Sequence, residues 1–573
     1  MKGTVARSGA PGARRRRNWR AALGFGGPAL ALGAFLALPA QAPAQEATVI
    51  NGVTTHFSQG WPPRLLSSAQ ELGVTMIRDS VHWPQVEKAP GQYQFTPANS
   101  AHVDRACAAG IKVLLGEEPR NPLYDGGQTA FTPAAQAAYA RFLKAAADRW
   151  PGCVTAIEIG NEINGKGGMT GPAAQDRIAA HVALLRAVHQ AVKPGHPGLA
   201  LLGGSVNTVA GGFLARLIKA GALQWVDGLA VHPYRPDPEG VDTEVARLNA
   251  AIRAAGASTP VWATEFSRAF VRPGDGAGHY LKMAALLESA GVTRHLWYAL
   301  ADQPGFPTMG LVRFDGAIKP AGQAFRLAAS QLEKNGPARR IDEGDPALFH
   351  FRYGATAHVI WGAPRSFRAD GPGVRILSAT GAPVSSGEIG DQPLVVLGAA
   401  NITFGPRRIL ADSLLGYGAA PLEWAVRDPG GALTPLRPVD WQWTSYLGAA
   451  AIPGALVIPR AIGTVPGGTM MVRYQARAAG DLFASACLVR QGGNGPAHLA
   501  LTVDGRPQWE ITDTSSPSQE TPHEVRVRIA ARPGSVIALE MSSPAPASIR
   551  YRYRLRIALD PANSASCPEK IPQ

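Results

Sequence analysis

The chain has 573 residues, 46% hydrophobic and 17% charged, with 65 glycines and 48 prolines. That length calls for roughly two to four domains, and the composition excludes a disordered chain, a coiled coil and a collagen-like fibre. Of the formal charge of +14, seven cations (Lys2, Arg7, Arg14, Arg15, Arg16, Arg17, Arg20) stand in residues 1–44, which hold no acid. No dense Lys/Arg stripe follows, so a nucleic-acid partner is not expected.

Residues 14–20 form a basic block, and 21–38 an apolar stretch broken only by Gly and Pro. Small residues then offer cleavage after Ala42 (Ala40-Gln41-Ala42) or Ala44 (Ala42-Pro43-Ala44). This is the layout of a bacterial export signal, so 1–44 is expected to be removed and the mature chain to be periplasmic or secreted. Retention of the segment as an anchor is the alternative, and the one route to membrane association. Cys107, Cys153, Cys487 and Cys567 follow, an even number that an oxidising compartment permits to pair. Cys107 and Cys153 each precede an expected strand and are candidate neighbours; Cys487 and Cys567 would close the C-terminal region. Four buried free thiols are the alternative. No Cys-x-x-Cys or Cys/His cluster marks a metal site, and no cofactor is expected.

From residue 48 to 334 short apolar runs alternate with amphipathic stretches. The runs are 49–54, 74–79, 111–116, 154–160, 199–203, 228–232, 261–266 and 295–299; helical periodicity marks 135–150, 175–192, 244–255 and 280–290. Gly73, Gly110, Gly256 and Gly291 precede the next run, where a left-handed residue ends a helix. Eight strand–helix units predict a (β/α)8 barrel over 45–334. A doubly wound sheet would show a Gly-rich phosphate turn after its first strand, and Gly52-Val53-Thr54-Thr55-His56-Phe57 is not one.

In a barrel, chemistry sits at the C-terminal strand ends. Polar residues gather there: Arg78-Asp79-Ser80 and His82-Trp83 after strand two, Asn161-Glu162 after strand four, His232-Pro233-Tyr234 after strand six, Glu265 on strand seven and Trp297-Tyr298 on strand eight. Two carboxylates among aromatic residues suit glycosidic-bond hydrolysis, where one protonates the leaving oxygen and the other attacks or activates water.

Ile157-Glu158-Ile159-Gly160-Asn161-Glu162 resembles the acid/base strand of clan A glycoside hydrolases, and Trp262-Ala263-Thr264-Glu265-Phe266 their nucleophile strand. Residues 77–87 with 91–95, Asn121-Pro122-Leu123-Tyr124-Asp125, Met309-Gly310-Leu311-Val312 and Lys319-Pro320 are similar to family 39, and together to its bacterial Psl-type exopolysaccharide hydrolases, associated with biofilm matrix. The sequence departs from the common clan pattern at Gly160 and Ile163. The resemblance covers about 48–334 and implies a retaining, endo-acting hydrolase of a secreted or cell-envelope polysaccharide. A non-catalytic glycan-binding or scaffold protein is the alternative.

On this reading Glu162 is the general acid/base, kept protonated by an apolar pocket, and Glu265 the nucleophile. Asn161 would bond the sugar 2-hydroxyl, and Arg78 would orient Glu265 and keep it ionised. His232 and Tyr234 would position the nucleophile or the sugar, and Trp297 would be a sugar platform. Trp83, Tyr93 and Tyr124 are further sugar contacts that core packing explains equally well. Glu158 shares the parity of Glu162 and reads as a structural partner of an inward Arg.

After residue 335 helical periodicity stops. Alternating runs at 348–353 and 357–361 predict a small β-domain over 335–400. Strands at 468–476, 497–503, 524–530 and 536–541, with an Asp504-Gly505 turn, predict a jelly-roll-like β-sandwich over 401–573, carbohydrate-binding or purely structural.

The envelope form should begin at Pro43 or Gln45. N-terminal sequencing checks this, and a Met1 start in cytoplasmic material overturns it.

Overall fold

The computed structural model describes residues 48–545 and 548–570; the expected signal, 1–44, lies outside them. Eight parallel strands close a barrel: β1 Ile50–Thr54, β2 Met76–Asp79, β3 Lys112–Glu117, β4 Val154–Ile159, β5 Ala200–Asn207, β6 Gly228–His232, β7 Val261–Phe266 and β8 Arg294–Trp297. Each expected run became one of them. Helices fill the connections, among them α1 Pro133–Arg149, α2 Arg177–Val192, α3 Val241–Ala254 and α4 Asp275–Ser289.

α1 shows why these stretches are helical. Thr132 Oγ1 accepts from Ala135 N at 3.3 Å and Pro133 occupies the first turn, satisfying an otherwise orphan donor. Ala135, Ala138, Tyr139, Phe142, Leu143 and Ala146 then bury one face. Gly73, Gly110, Gly256 and Gly291 take φ of +75 to +91°, as a helix-ending residue must.

Alternation inside the barrel positions the site. Met76, Leu114, Ala156, Leu202, Ala230, Trp262 and Leu296, one from each of β2–β8, form an apolar plug. A Cβ on Gly52 of β1 would approach Met76 O to 2.7 Å and Leu296 Cγ to 2.8 Å, so the ring closes only with glycine there. Side chains two residues further along each strand face the same way. That next layer is polar: Thr54, Arg78, Glu158, His232, Thr264 and Tyr298, with Gly116 and Gly204 leaving room. The C-terminal end of the barrel therefore rests on a packed apolar floor.

Beyond the barrel, Arg339–Ile341, Leu348–Tyr353, Ala357–Gly362, Leu394–Leu397 and Arg375–Leu377 form a five-stranded antiparallel sheet. Asn401–Phe404 joins this earlier region, pairing with Arg365–Asp370. The change of sheet thus falls between Phe404 and Ile409 rather than at 400. From Ile409 an eight-stranded and a six-stranded antiparallel sheet enclose a second core, centred on Trp424, Leu488, Leu499, Leu539, Tyr551 and Tyr553. This region is fastened to the barrel. Arg460 holds Asp237 (Nε–Oδ1 2.7 Å), Arg247 Nε meets Asp440 at 2.9 Å, and Asn164 Nδ2 donates to Gln442 O at 2.9 Å. Cys107 pairs with Cys153 and Cys487 with Cys567, so the free-thiol alternative does not hold.

Outside the barrel wall, Glu288, His295 and Glu333 meet in a fully buried cluster with Asn51 and Tyr280. Burial pushes both carboxyls up to about 8, against roughly 4.3 in an unfolded chain. The folded protein then holds protons that the unfolded chain releases. That contribution is whole below about pH 4.3 and is lost as pH rises towards 8. Converting both to Gln should flatten the fall in Tm between pH 5 and 8, as calorimetry will show; an unchanged slope would refute it.

Candidate active site

A cavity of about 1060 Å3 opens at the C-terminal end of the barrel, lined by Arg78, Asn161, Glu162, Tyr234 and Glu265 among others. Its charges are organised by one guanidinium. Arg78 Nε donates to Glu158 Oε2 at 2.6 Å, Nη1 to Glu265 Oε1, and Nη2 to Asn161 Oδ1 at 3.0 Å. Gly116 makes room for it, since a Cβ there would lie 3.1 Å from Arg78 Cζ. Burial opposes the charge on Arg78, but Glu158 and Glu265 outweigh it and raise the pKa further. Burial likewise disfavours ionised Glu158, yet Arg78, His232 and Ser205 hold its carboxyl well below the usual range. Glu158 is a structural anion, as its parity implied.

Glu265, at the end of β7, accepts from Tyr234 Oη at 2.5 Å on the oxygen that Arg78 leaves free. Glu162 follows β4 on a bend: Gly160 has φ +82° and Glu162 itself φ +44°, an uncommon conformation for a side chain of its size. Such backbone persists where surrounding contacts fix it. Ile163 N donates to Ser205 O at 3.0 Å, and Asn164 is held at both Asn207 O and Gln442 O. A Cβ on Gly160 would meet Ile163 Cγ2 at 2.9 Å, which accounts for the departure there.

His232 sits beneath, fully buried. Its Nε2 lies 3.1 Å from Glu158 Oε1; its Nδ1 lies 3.4 Å from Glu162 Oε1 and 3.6 Å from Glu265 Oε2. Burial opposes its charge, but Glu265, Glu158 and Glu162 prevail, and its pKa rises to about 9. One oxygen of Glu162, one of Glu265 and a ring nitrogen of His232 all lie within 4.8 Å of one another.

The expectation that Glu162 is held protonated in the free protein is not met. Burial raises its pKa, but the hydrogen bond and charge of His232, then Asn207 Nδ2 at 2.7 Å, bring it below the ordinary value. The pocket wall facing Glu162 is not apolar. The three close groups could in principle hold a metal ion. Both Glu265 oxygens already accept strong donors, however, and a protonated His232 offers no lone pair.

Three expected residues fall elsewhere. Trp297 is fully buried outside the barrel ring, its Nε1 donating to Met309 O at 2.8 Å and its ring stacked on Phe270 at 6.1 Å. It does not line the cavity and cannot be a sugar platform. Leu296 points inward, so Trp297 points out and Tyr298 in; parity held that signal. Trp83 reaches the cavity wall but is 1% exposed, stacked on Tyr124 (5.3 Å) and Phe142 (6.0 Å). Trp83 Nε1 and Tyr124 Oη both donate to buried Glu87, at 2.5 and 2.7 Å. Packing explains these two better than sugar contact does.

The sequence reading missed others. Asn207 lies beyond the strand expected at 199–203, because β5 runs on through a bulge at Gly204–Ser205. That bulge turns Ser205 Oγ onto Glu158 at 2.6 Å and Gly160 O at 2.8 Å. Glu117, at the end of β3, also lines the cavity; burial lifts its carboxyl to about 8.

Comparison with solved structures bears on the fold. A family 39 glycoside hydrolase from the gut symbiont Bacteroides cellulosilyticus WH2 superposes with a TM-score of 0.52 at 20% identity, over 61% of this chain and 80% of that one. The fold is similar to that of a family 39 glycoside hydrolase. At that identity the match speaks for the fold and not for the activity. A monomeric β-xylosidase from Caulobacter crescentus CB15 (15% identity, TM-score 0.43, 87% of this chain and 98% of that one) and a family 39 enzyme from Xanthomonas axonopodis pv. citri (13%, 0.43, 87% and 94%) align too loosely to bear on the site. No family model matches the sequence, and no curated protein does.

Replacing His232 with Asn removes the cation beside Glu162 and should move the Glu162 pKa upward. Carboxyl 13C NMR titration of the free protein checks this; an unmoved or lower value would contradict the assignment of His232 as the controlling charge.

Proposed function

We propose that this chain is a retaining glycoside hydrolase of a secreted or cell-envelope polysaccharide, with Glu265 as nucleophile and Glu162 as general acid/base. The observation that carries the reading is the unequal dressing of two carboxylates across one cavity. Glu265 accepts from Arg78 on one oxygen and Tyr234 on the other, which fixes and aims its carboxyl. Glu162, about one-third exposed at its side chain, faces the same space with an oxygen within 4.8 Å of Glu265. That proximity suits attack on the anomeric carbon by one group while the other protonates the leaving oxygen, as carboxyl groups roughly 5–5.5 Å apart do.

Glu162 must gain a proton before the first step, and His232 can supply it. A sugar entering the cavity displaces water from Glu162, which favours its neutral form. The cationic imidazole passes the Nδ1 proton across the 3.4 Å contact to Glu162 Oε1. Glu162 then protonates the leaving oxygen as Glu265 attacks. In the second step deprotonated Glu162 takes a proton from water, which cleaves the glycosyl–Glu265 ester with net retention. Asn161, held by Arg78, is placed for the sugar 2-hydroxyl, and Tyr298 takes the platform role first given to Trp297.

A volume slightly above the roughly 300–1,000 Å3 range of ligand pockets leaves room for an oligomeric substrate, and endo action is part of the proposal. The Psl-type relationship, periplasmic or secreted location and glycan binding by the C-terminal sandwich are part of the same proposal.

Glu265→Ala should lower kcat by about four orders of magnitude or more. Glu162→Ala should spare activated aryl glycosides, whose leaving groups need little protonation. Proton NMR of the first product should show the substrate's anomeric configuration, and an inverted product would overturn the assignment.

A further inference from the structure

Three residues beyond Glu265, Arg268 lines the same cavity. Unlike Arg78, Arg235 and Arg460, it has no carboxylate at ion-pair distance and no hydrogen-bond acceptor among the described residues. Its Nε is buried without a partner. The carboxylate whose charge acts most strongly on it, Asp237, is taken by Arg460, whose Nε stands 2.7 Å from Oδ1, and the charge of Arg460 acts against that of Arg268. Burial, the larger cause, together with this repulsion lowers the Arg268 pKa. Next to it Ser267, fully buried and also lining the cavity, leaves its hydroxyl unpartnered.

The arginine is not loose. Its Cζ lies 5.0 Å from the centroid of the Phe270 ring, which stacks on Trp297 with planes 5° apart. A guanidinium held over an aromatic face, with its donors unspent, matches a planar carboxylate. Leaving it half-buried and unpaired costs stability, a cost that an anionic ligand would offset.

We propose that Arg268, with Ser267, reads a carboxylate carried by a sugar of the substrate, so that the preferred polysaccharide is acidic. The proposal rests on the glycosidase reading of the cavity and deepens it by naming the substrate class.

Binding to the full mature chain tests it, using oligosaccharides of alginate, polygalacturonate and hyaluronan and the same preparations after reduction of their carboxyls to primary alcohols. At least one acidic preparation should bind about tenfold or more tighter than its reduced form by isothermal titration, equivalent to about 1.4 kcal/mol. Arg268→Gln should abolish that difference, Arg268→Lys should keep part of it, and Glu265→Ala should preserve it. The proposal is overturned if no preparation discriminates, or if discrimination survives Arg268→Gln. The two readings fail separately. Discriminating binding with no hydrolysis of any glycan counts against the glycosidase; hydrolysis of neutral glycans without discrimination counts against Arg268.

Discussion

The candidate site at the C-terminal end of this barrel depends on one buried guanidinium shared among three acceptors. Arg78 meets Glu158, Glu265 and Asn161 at once, and a planar fork with five donors is the side chain that can do so. Buried carboxylates are tolerated only when paired. Arg78 and His232 supply two positive charges against Glu158, Glu265 and the partly exposed Glu162. The remaining negative charge falls on the group with the best access to water. The acid/base candidate is therefore the one whose protonation can respond to a ligand.

This network reconciles an ionised Glu162 with its proposed role as an acid. Coupled groups titrate as a set, and His232 holds a proton within hydrogen-bonding reach of two of the three carboxylates. On the proposed reading, a site that stores its proton on imidazole leaves Glu162 ionised until a sugar desolvates it.

The barrel was legible in the sequence because its strands are continuous apolar runs, buried on both faces, and because its helices carry one apolar stripe each. The two candidate carboxylates stood out for a related reason, as acidic residues at the ends of such runs, although Asp79, which ends β2, accepts from Thr55, Phe57 and Ser80 and is structural. What sequence could not give was direction. Trp297 and Tyr298 are adjacent aromatics, and only counting from the inward Leu296 assigns them. Asn207 was hidden by a bulge, since one extra residue cancels any parity rule. The raised or lowered state of Glu162 was beyond reach, because it depends on residues 45 and 70 positions away in the chain.

One further feature changes how the molecule can be divided. The loop after Glu162 is held from two sides, by the bulged β5 through Asn207 and by the C-terminal sandwich through Gln442. Trp443 lies 3.7 Å from where a Cβ on Gly165 would stand, and Gly212 N donates to Trp441 O at 2.9 Å. The left-handed turn that aims Glu162 is thus braced by residues more than 270 positions downstream. The barrel is not a self-sufficient module: recombining it with a foreign accessory domain would exchange part of the scaffold of its candidate site, and the sandwich would evolve under the same constraint as the loop it braces.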